Sequence, residues 1–238
     1  MKKLLVFLCG MMLMVNFVLV AHATVVTLQP GPEGKDTWIW NGEDWSHGDS
    51  GELRANDTSV YNQYVLLEFD LSSFAADIDT VNSATLGLYR YDSYGGVTLT
   101  LDAHQITSSW TEDVIWSTQP SYNAAAEAST AVSGIADGWY TWDLTSLTQD
   151  WIDGTANNYG VAIFDHGTDY FQRFVSSDNV GAIEPSWALP PADPSLRPYL
   201  EVDYLEVAYQ PVPEPATMLL LGSGLIGLAG FRRKFRKK

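Results

Sequence analysis

Short segments in which hydrophobic and polar residues alternate recur along the chain and predict β-strands. Apolar residues stand at every second position in residues 65–71, 84–88 and 97–101, which is the period of a strand with one buried face. The turn residues from Asp92 to Gly96 separate the second segment from the third and predict a hairpin. Further strands are predicted at Val25–Leu28, Thr37–Trp40, Gly138–Asp143, Gly160–Phe164, Phe171–Ser176 and Tyr199–Tyr204.

Helical spacing is clear at one place in the body of the chain. The apolar residues at i, i+3, i+7 and i+8 are Leu144, Leu147, Trp151 and Ile152. Asp143 or Thr145 is suited to cap this helix, and Gly154 is suited to end it. One short helix among many strands, with no βαβ rhythm, predicts an all-β fold, for which we favour a jelly-roll-like β-sandwich.

The first 23 residues have the pattern of a signal peptide. Two lysines precede an apolar run from Leu4 to Val20, and Ala21-His22-Ala23 has the A-x-A form that is cut after its last residue. We therefore expect cleavage after Ala23, with an uncleaved anchor as the alternative. The only cysteine, Cys9, lies in this segment, so the mature body has no disulfide and must be stabilised by packing.

Residues 207–238 predict a linker followed by a sorting or membrane segment. Pro213-Glu214-Pro215 precedes an apolar run from Ala216 to Phe231, and six arginines and lysines follow that run. As a helix the run would extend about 24 Å, somewhat less than the roughly 30 Å hydrocarbon core of a bilayer. The basic cluster would remain on the cytoplasmic side, which would place the body on the other side of the membrane.

The order of these three parts resembles the PEP-CTERM sorting signal. The resemblance rests on Pro213, Glu214 and Pro215, the short apolar span and the basic end. It implies recognition by an exosortase, a membrane enzyme of Gram-negative bacteria that make exopolysaccharide. The protein would then be exported, anchored transiently in the membrane, and released to the cell surface or the extracellular matrix.

Residues 24–206 are expected to form one strongly acidic domain. Its only basic side chains are those of Lys35, Arg54, Arg90, Arg173 and Arg197, whereas all but one of the 29 acidic residues of the chain belong to it, a net charge of about −23. This charge disfavours nucleic acid and anionic lipid as partners, since both are bound through clustered lysine and arginine. It is compatible with divalent cations and neutral sugars.

The body also resembles the DNRLRE domain, or carbohydrate-binding module family 96. The motifs that support this are Ser46-His47-Gly48, Glu52-Leu53-Arg54, Leu66 to Ser72, Ser83 to Leu86, Trp110-Thr111-Glu112 with Trp116 and Pro120, Asp143-Leu144-Thr145, Trp151, Asn158-Tyr159-Gly160 and Arg197 to Leu200. The resemblance implies a jelly-roll β-sandwich that binds polysaccharide, alginate-like acidic chains being one ligand class. Glu68 stands where the family commonly has a basic residue, which disfavours an anionic ligand unless calcium bridges it to the protein.

Exposed aromatic rings are the expected sugar-binding groups, because sugars stack their C–H faces on such rings. The predicted carbohydrate-binding residues are Trp45, Arg54, Tyr94, Tyr140 and Trp187. The tryptophans that recur in the family motifs are expected in the core: Trp110, Trp116, Trp142 and Trp151. Trp38 and Trp40 share one strand face and belong either to a binding platform or to the interior.

A structural calcium ion is a further expectation, with a plain acidic surface as the alternative. Residues 41–57 contain the hard oxygen ligands that calcium prefers, on Glu43, Asp44, Asp49, Glu52 and Asp57. A calcium ion that joins the first strand to the last would instead use Asp36 with Glu201 or Asp203. The predicted ligands are therefore Asp36, Glu52 and Asp203.

Together these features predict a non-catalytic, exported polysaccharide-binding domain. A structural matrix or adhesion protein without a specific sugar site is the first alternative. A polysaccharide-cleaving enzyme that uses Glu112 and Asp113 is the second. The histidines of the body show no metal-ligand spacing, and the body has no Gly-x-Ser-x-Gly motif and no cysteine nucleophile.

Overall fold

A computed structural model describes residues 23–57, 60–165, 167, 170–180, 190–206 and 222–225. Most of the predicted signal peptide, Trp187, and the motif Pro213, Glu214 and Pro215 lie outside these residues. Residues 21–207 form one compact unit, and a second unit contains the helical turn at residues 222–225. Within the described segments, no helix has both the length and the apolar character required to cross a membrane.

The compact unit is built mainly of strands. The strands described are β1 (Ala23–Leu28), β2 (Lys35–Trp40), β3 (Glu52–Asp57), β4 (Asn62–Glu68), β5 (Ile78–Tyr94), β6 (Leu99–Gln105), β7 (Ala128–Val132), β8 (Gly138–Asp143), β9 (Val161–Asp165), β10 (Phe171–Val175) and β11 (Tyr199–Glu206). A short helix, α1, spans Thr145–Ile152, and single 3₁₀ turns lie at Ala75–Asp77, Trp116–Thr118 and Pro194–Leu196. Cleavage after Ala23 would leave the rest of β1 in the mature chain.

The strands form two antiparallel sheets that pack face to face. Sheet A has the order β1-β11-β5-β10-β3, with β8 also paired to β5. Sheet B has the order β2-β4-β9-β6-β7. At Asn56 and Asp57, β3 also pairs with β4, so this strand joins the two sheets. Because buried apolar residues of both sheets form the main core between them, the predicted all-β sandwich is confirmed.

The two sheets differ in what covers their outer faces. A second apolar cluster lies on the outer face of sheet B, where residues 106–122 pack against Ile39, Tyr64, Leu66 and Phe164. This second layer explains why every residue from 63 to 67 of β4 is buried instead of alternating. Along β1, β8 and β11 of sheet A, buried or half-buried positions alternate with more exposed ones. The outer face of sheet A is therefore open to solvent along these strands.

The predicted short helix is confirmed. The helix α1 follows Asp143, whose carboxylate accepts a hydrogen bond from the Thr145 amide at 3.0 Å. Gly154 follows the helix with a φ of +68°, the left-handed conformation that commonly ends helices. The apolar residues Leu144 and Leu147 are buried in the main core, as their spacing predicts.

The predicted hairpin through Asp92 to Gly96 is wrong. The strand before it, β5, pairs with β8, β10 and β11 of sheet A, whereas β6 pairs with β7 and β9 of sheet B. Both edges of β5 are thus occupied by other strands, and the connection crosses from one sheet to the other. Gly95 and Gly96 still form a turn, with φ of +91° and +64°, but the turn does not determine the partner of β6.

The acidic segment of residues 41–57 also contains a strand, β3, that is not among the strands predicted from the sequence. Leu53 and Ala55 of β3 are completely buried, so the side chain of Arg54 between them points away from the core. Three of the six residues of β3 are charged and one is an asparagine, and this composition hid the alternation.

Glycine is required at one position where strands approach closely. Gly160 has a φ of +79°, and a Cβ there would lie 1.8 Å from the Leu67 carbonyl oxygen. Gly154 has a similar φ of +68° but open space around its missing side chain. We expect Gly154→Ala to cost about 1 kcal/mol of unfolding free energy through its backbone conformation alone. Gly160→Ala should cost clearly more, because β4 must also move.

Urea unfolding of the two variants tests this difference. Equal losses at both positions would show that β4 adjusts freely beside Gly160, contrary to the packing described.

Candidate functional site

Charged and aromatic side chains lie together on the outer face of sheet A, where β3, β10 and β5 are adjacent. Arg54 of β3 is paired in register with Arg173 of β10, and Arg173 with Asp92 of β5. The residues next to these arginines, Leu53 and Phe174, are completely buried. Because side chains alternate across a strand, both arginines point to the outer face.

A continuous series of ring contacts runs from the loop before β3 to the end of β5. Its members, which we call the aromatic–arginine surface, are Trp45, His47, Trp38, Arg54, Phe171 and Tyr94. The ring centroids of Trp45 and His47 are 6.3 Å apart, and His47 stacks on Trp38 at 3.7 Å. The Arg54 guanidinium lies 4.6 Å from the Trp38 ring and 5.8 Å from the Phe171 ring. Phe171 stacks on Tyr94 at 5.6 Å.

The two ends of this surface are open to solvent and its middle is not. Trp45 and Tyr94 are both 61% exposed, whereas Trp38 is buried in the main core. Three predicted sugar-binding residues, Trp45, Arg54 and Tyr94, therefore belong to one connected surface. The residues that connect them were not predicted as sugar-binding groups: His47 and Phe171 were not singled out for that role, and Trp38 was left undecided.

Carboxylates hold both arginines in place. Glu52 accepts a hydrogen bond from Arg54 Nε at 2.8 Å and another from the Tyr91 hydroxyl at 2.5 Å. Arg173 donates to Asp92 at 3.0 Å and lies 3.7 Å from Glu52. These contacts fix the guanidinium groups, and they balance the positive charges with negative ones.

His47 is uncharged at neutral pH. Burial and the nearby Arg54 guanidinium lower the pKa of His47 from 6.5 to about 4. Its neutral ring can therefore stack on Trp38 beside a guanidinium without charge repulsion. The Glu43 carboxylate lies 3.1 Å from His47 Nε2.

A glycine allows one more ring to approach the end of this surface. The Tyr170 ring lies over Gly95, where an added Cβ would be only 1.9 Å from Tyr170 Cδ1. Its centroid is 6.4 Å from that of Tyr94. Gly95 also has a φ of +91°, so both the turn and the ring contact require glycine here.

Tyr140 does not join these residues through any contact described here. It packs against the main core, and its hydroxyl donates to the Ala136 carbonyl oxygen at 2.9 Å. The neighbouring Trp139 points outward instead, and 38% of it is exposed. The predicted core positions of Trp110 and Trp142 are confirmed, since both are buried.

Three carboxylates meet elsewhere, near the start of β2. One oxygen each from Asp36, Glu112 and Asp178 lies within 4.8 Å of the others. Asp36 is buried and accepts hydrogen bonds from the Ser177 amide and hydroxyl at 2.9 and 2.6 Å. The Glu112 carboxylate accepts a hydrogen bond from the Asp36 amide at 3.1 Å. We call these three residues the carboxylate cluster.

Burial raises the pKa of each carboxyl in the cluster. It is the largest cause for Asp36 and Glu112, and for Asp178, where the charges of Asp36 and Glu112 add to it and the pKa reaches about 7. Asp49 acts in the same direction on Asp178, while Arg197 lowers the pKa of that group. The cluster therefore contains more negative charge than its surroundings balance.

Of the three predicted metal ligands, only Asp36 belongs to the carboxylate cluster that the structure shows. Glu52 is engaged by Arg54 and Tyr91, and Asp203 accepts a hydrogen bond from Asn82 at 3.1 Å. Among the acidic residues of 41–57, Asp44 accepts a hydrogen bond from the Ser117 hydroxyl at 3.1 Å, and Asp57 accepts one from the Tyr64 hydroxyl at 3.2 Å. Among the described residues, the structure thus groups Asp36 with Glu112 and Asp178.

A cleft of about 600 Å³ lies beside β1 and the start of β2. Lys35 and Glu68 line it and form an ion pair at 2.5 Å, and Lys35 lies 4.5 Å from the Trp110 ring. The aromatic residue of its lining, Phe69, is buried. The cleft therefore offers a sugar ring less aromatic surface than Trp45 and Tyr94 do.

The raised pKa of Asp178 predicts a pH dependence of stability in EDTA. The folded protein holds a proton on Asp178 up to about pH 7, whereas the unfolded chain releases it near 3.8, so the free energy of unfolding should fall as pH rises between these values. Asp178→Asn removes this loss, and its stability relative to the wild type should increase from about pH 5 to about pH 8.

Asp70→Asn serves as the control in the same urea titrations. Hydrogen bonds from Ser72 lower the pKa of Asp70, so its substitution should have the same effect at both pH values. An Asp178→Asn effect that is also independent of pH would contradict the crowding of charge in the cluster.

Two family models match the chain. The model of carbohydrate-binding module family 96 matches residues 28–189, and the model of the PEP-CTERM protein-sorting motif matches residues 211–234. The first match covers the chain from the end of β1 through β10 and includes the whole aromatic–arginine surface. A comparison with curated proteins finds no match. The two family matches confirm both resemblances inferred from the sequence.

Proposed function

Because the chain belongs to carbohydrate-binding module family 96, we propose that its body binds an extracellular polysaccharide on the aromatic–arginine surface. The observation that supports this site most directly is the continuous series of contacts from Trp45 to Tyr94. A rigid surface with exposed aromatic rings at both ends suits a long polymer, since each ring can stack against a different sugar unit.

Pre-organisation of this surface favours binding. His47 and Arg54 both pack against the buried Trp38 ring, and Glu52 accepts a hydrogen bond from Arg54. Side chains that are already fixed lose little conformational entropy when a ligand is bound. Trp45 and Tyr94 can therefore provide apolar contact area while the groups between them stay in place.

The balance of charge favours a neutral polysaccharide. Four of the five basic residues of the body have a carboxylate partner in the structure: Lys35 with Glu68, Arg54 with Glu52, Arg90 with Asp137 and Arg173 with Asp92. A uronic-acid chain would have to compete with these carboxylates for the same cations, inside the field of a strongly negative domain. A neutral chain meets no such repulsion.

The sorting motif supports a role outside the cytoplasm. PEP-CTERM proteins are exported and anchored for sorting, and the match at residues 211–234 places such a motif after the body. We propose that an exosortase-type enzyme processes this tail and that the body then acts, without catalysing a reaction, in an exopolysaccharide matrix or at the cell surface. A cleavage role for Glu112 would produce new reducing ends or unsaturated products, an assay that tests the non-catalytic proposal.

The binding site is tested by alanine substitution at both of its exposed ends. Trp45→Ala and Tyr94→Ala should each weaken retardation in native gels that contain the bound polysaccharide by about tenfold in affinity, equivalent to about 1.4 kcal/mol. Both residues are largely exposed, so the thermal midpoint should change little. A glycan array first identifies the polysaccharide.

Tyr61→Ala is the matched control, because Tyr61 is 57% exposed and its ring lies beside Trp40, outside the aromatic–arginine surface. Unchanged binding by both test variants would exclude this surface as the site. Failure of the wild type to bind any glycan on the array would instead favour a structural matrix role.

A structural calcium ion at the carboxylate cluster is a second proposal. Asp36, Glu112 and Asp178 provide hard oxygen ligands within 4.8 Å of one another, and calcium bound there would neutralise their mutual repulsion. Since a ligand that binds only the folded state stabilises it, calcium at about 100 times its dissociation constant would add about 2.7 kcal/mol.

Thermal melts in EDTA and in excess calcium test this proposal. The wild-type midpoint should rise with calcium, and Glu112→Gln should abolish most of the rise. Glu43→Gln should leave it intact, because Glu43 lies beside His47 and not in the cluster. A wild-type midpoint that calcium does not change would show that the cluster binds no calcium.

A further inference from the structure

A second group of aromatic side chains lies on the outer face of sheet A, where β8, β5 and β11 are adjacent. Tyr89 of β5 is paired with Trp139 of β8, and Tyr199 of β11 is paired with Gly87 of β5. The Trp139 ring lies 5.5 Å from that of Tyr89 and 4.9 Å from that of Tyr199, at interplanar angles of 77° and 63°. The three rings therefore form one compact group.

The absence of a side chain at Gly87 allows this group to form. A Cβ at Gly87 would lie 2.2 Å from Cε1 and 2.3 Å from Cζ of Tyr199, so the tyrosine ring lies directly over the backbone of β5. Trp139 stands beside it at a steep angle. The Tyr199 and Trp139 rings thus provide two aromatic surfaces in different planes. A sugar ring can stack on one of them and contact the other with its edge.

Polar groups that suit sugar hydroxyls surround these rings. Thr85, Thr141 and Glu201 point to the same outer face, since in register Thr85 is paired with Glu201 and Gly87 with Thr141. The Glu201 carboxylate accepts a hydrogen bond from the Thr27 hydroxyl at 3.5 Å and has further lone pairs for a ligand. A carboxylate at this position accepts hydrogen bonds from hydroxyl groups and repels uronic acids.

We propose that Tyr89, Trp139 and Tyr199 form a second surface for a neutral polysaccharide, separate from the aromatic–arginine surface. The proposal rests on the proposed polysaccharide-binding function, but the two surfaces share no residue. Trp139 is the most exposed of the three rings, at 38%, and provides the main stacking area.

The two surfaces are placed so that one polymer chain can contact both. Tyr89 and Tyr94 lie on the same strand, five residues and therefore about 16 Å apart. A register shift between Arg90 and Asp92 in the pairing of β5 with β10 allows both tyrosines to lie on the outer face of sheet A, although they are an odd number of residues apart. Simultaneous contact would make binding to a polymer much tighter than binding to a short oligosaccharide, because the second contact is intramolecular.

Titration calorimetry measures the number of sites. A glycan array with neutral and uronic-acid oligosaccharides identifies the neutral oligosaccharide with the strongest signal, which then serves as the probe. We expect the full protein to bind two probe molecules per chain and Trp139→Ala to bind one, and the double variant Trp139→Ala with Tyr94→Ala to bind that one about tenfold more weakly. Val25→Ala is the control, because Val25 is an exposed residue of β1, 59% accessible, outside both aromatic groups.

A second variant tests the geometry without removing a ring. Gly87→Ala should displace Tyr199 and lower the number of sites from two to one, and a thermal melt shows whether the fold is intact. One probe molecule per wild-type chain, unchanged in Trp139→Ala, would overturn the second surface while the first remains. Array signals confined to uronic-acid oligosaccharides would overturn the preference for neutral sugars, and no signal at all would overturn the proposed function itself.

Discussion

The burial of Leu53 and Ala55 on β3 determines the direction of the side chains along the candidate surface. Both residues are fully enclosed in the core between the sheets, and strand geometry then requires Glu52 and Arg54 to point outward. Since β3 pairs with β10 in one sheet and with β4 in the other, its register cannot slip without disturbing both. A one-residue slip would exchange Arg54 for a core residue and break the contacts to Trp38 and Phe171.

The absence of disulfides from the body makes packing the main source of this rigidity. Aromatic residues supply much of the buried volume, with Trp142, Phe164 and Phe174 among the largest fully buried side chains. The indole N–H of Trp142 donates a hydrogen bond to the Leu101 carbonyl oxygen at 2.9 Å, so this large apolar ring is buried with its one polar group satisfied. A covered sheet B and a solvent-exposed sheet A allow the same framework to provide both stability and a binding surface.

Charge has different consequences at the two candidate sites. Along the aromatic–arginine surface, scarce arginines are matched with carboxylates, which fixes side chains and leaves little attraction for anions. In the carboxylate cluster, three acidic side chains lie close together. The positive charge of Arg197 lowers the pKa of Asp36 and Asp178. Carboxylates are thus matched with cations along the aromatic–arginine surface, whereas in the cluster they crowd one another and raise the pKa of Asp178.

The local sequence was sufficient to predict much of the structure. The spacing of apolar residues predicted the sandwich and the short helix, and the order of short motifs indicated the resemblance to the family. The local sequence also led to the prediction of Trp45, Arg54 and Tyr94 as sugar-binding residues, because aromatic residues in loops and a rare arginine are visible in a linear sequence. It did not reveal which residues connect them. Phe171 meets Tyr94 only because β10 pairs with the end of β5, and such pairing depends on the whole sheet.

The differences between the predictions and the structure have the same origin. The turn signal at Gly95 and Gly96 was read as a hairpin, although other strands occupy both edges of β5. Asp36 was grouped with Glu201 or Asp203 on the expectation that an ion joins the first strand to the last, whereas the structure groups it with Glu112 and Asp178. Tyr140 was selected from a strand in which the outward residue is its neighbour Trp139, a difference of one position that reverses the face.

The central claim is that a polysaccharide stacks on the exposed rings at the two ends of the aromatic–arginine surface. Aromatic ¹H–¹³C spectra recorded during addition of the bound oligosaccharide test it most directly, because each ring reports its own contacts. The account predicts progressive shifts for Trp45, Phe171 and Tyr94, and none for the core ring of Trp142. Shifts confined to the rings around the Lys35 cleft, such as Phe69 and Trp110, would contradict it.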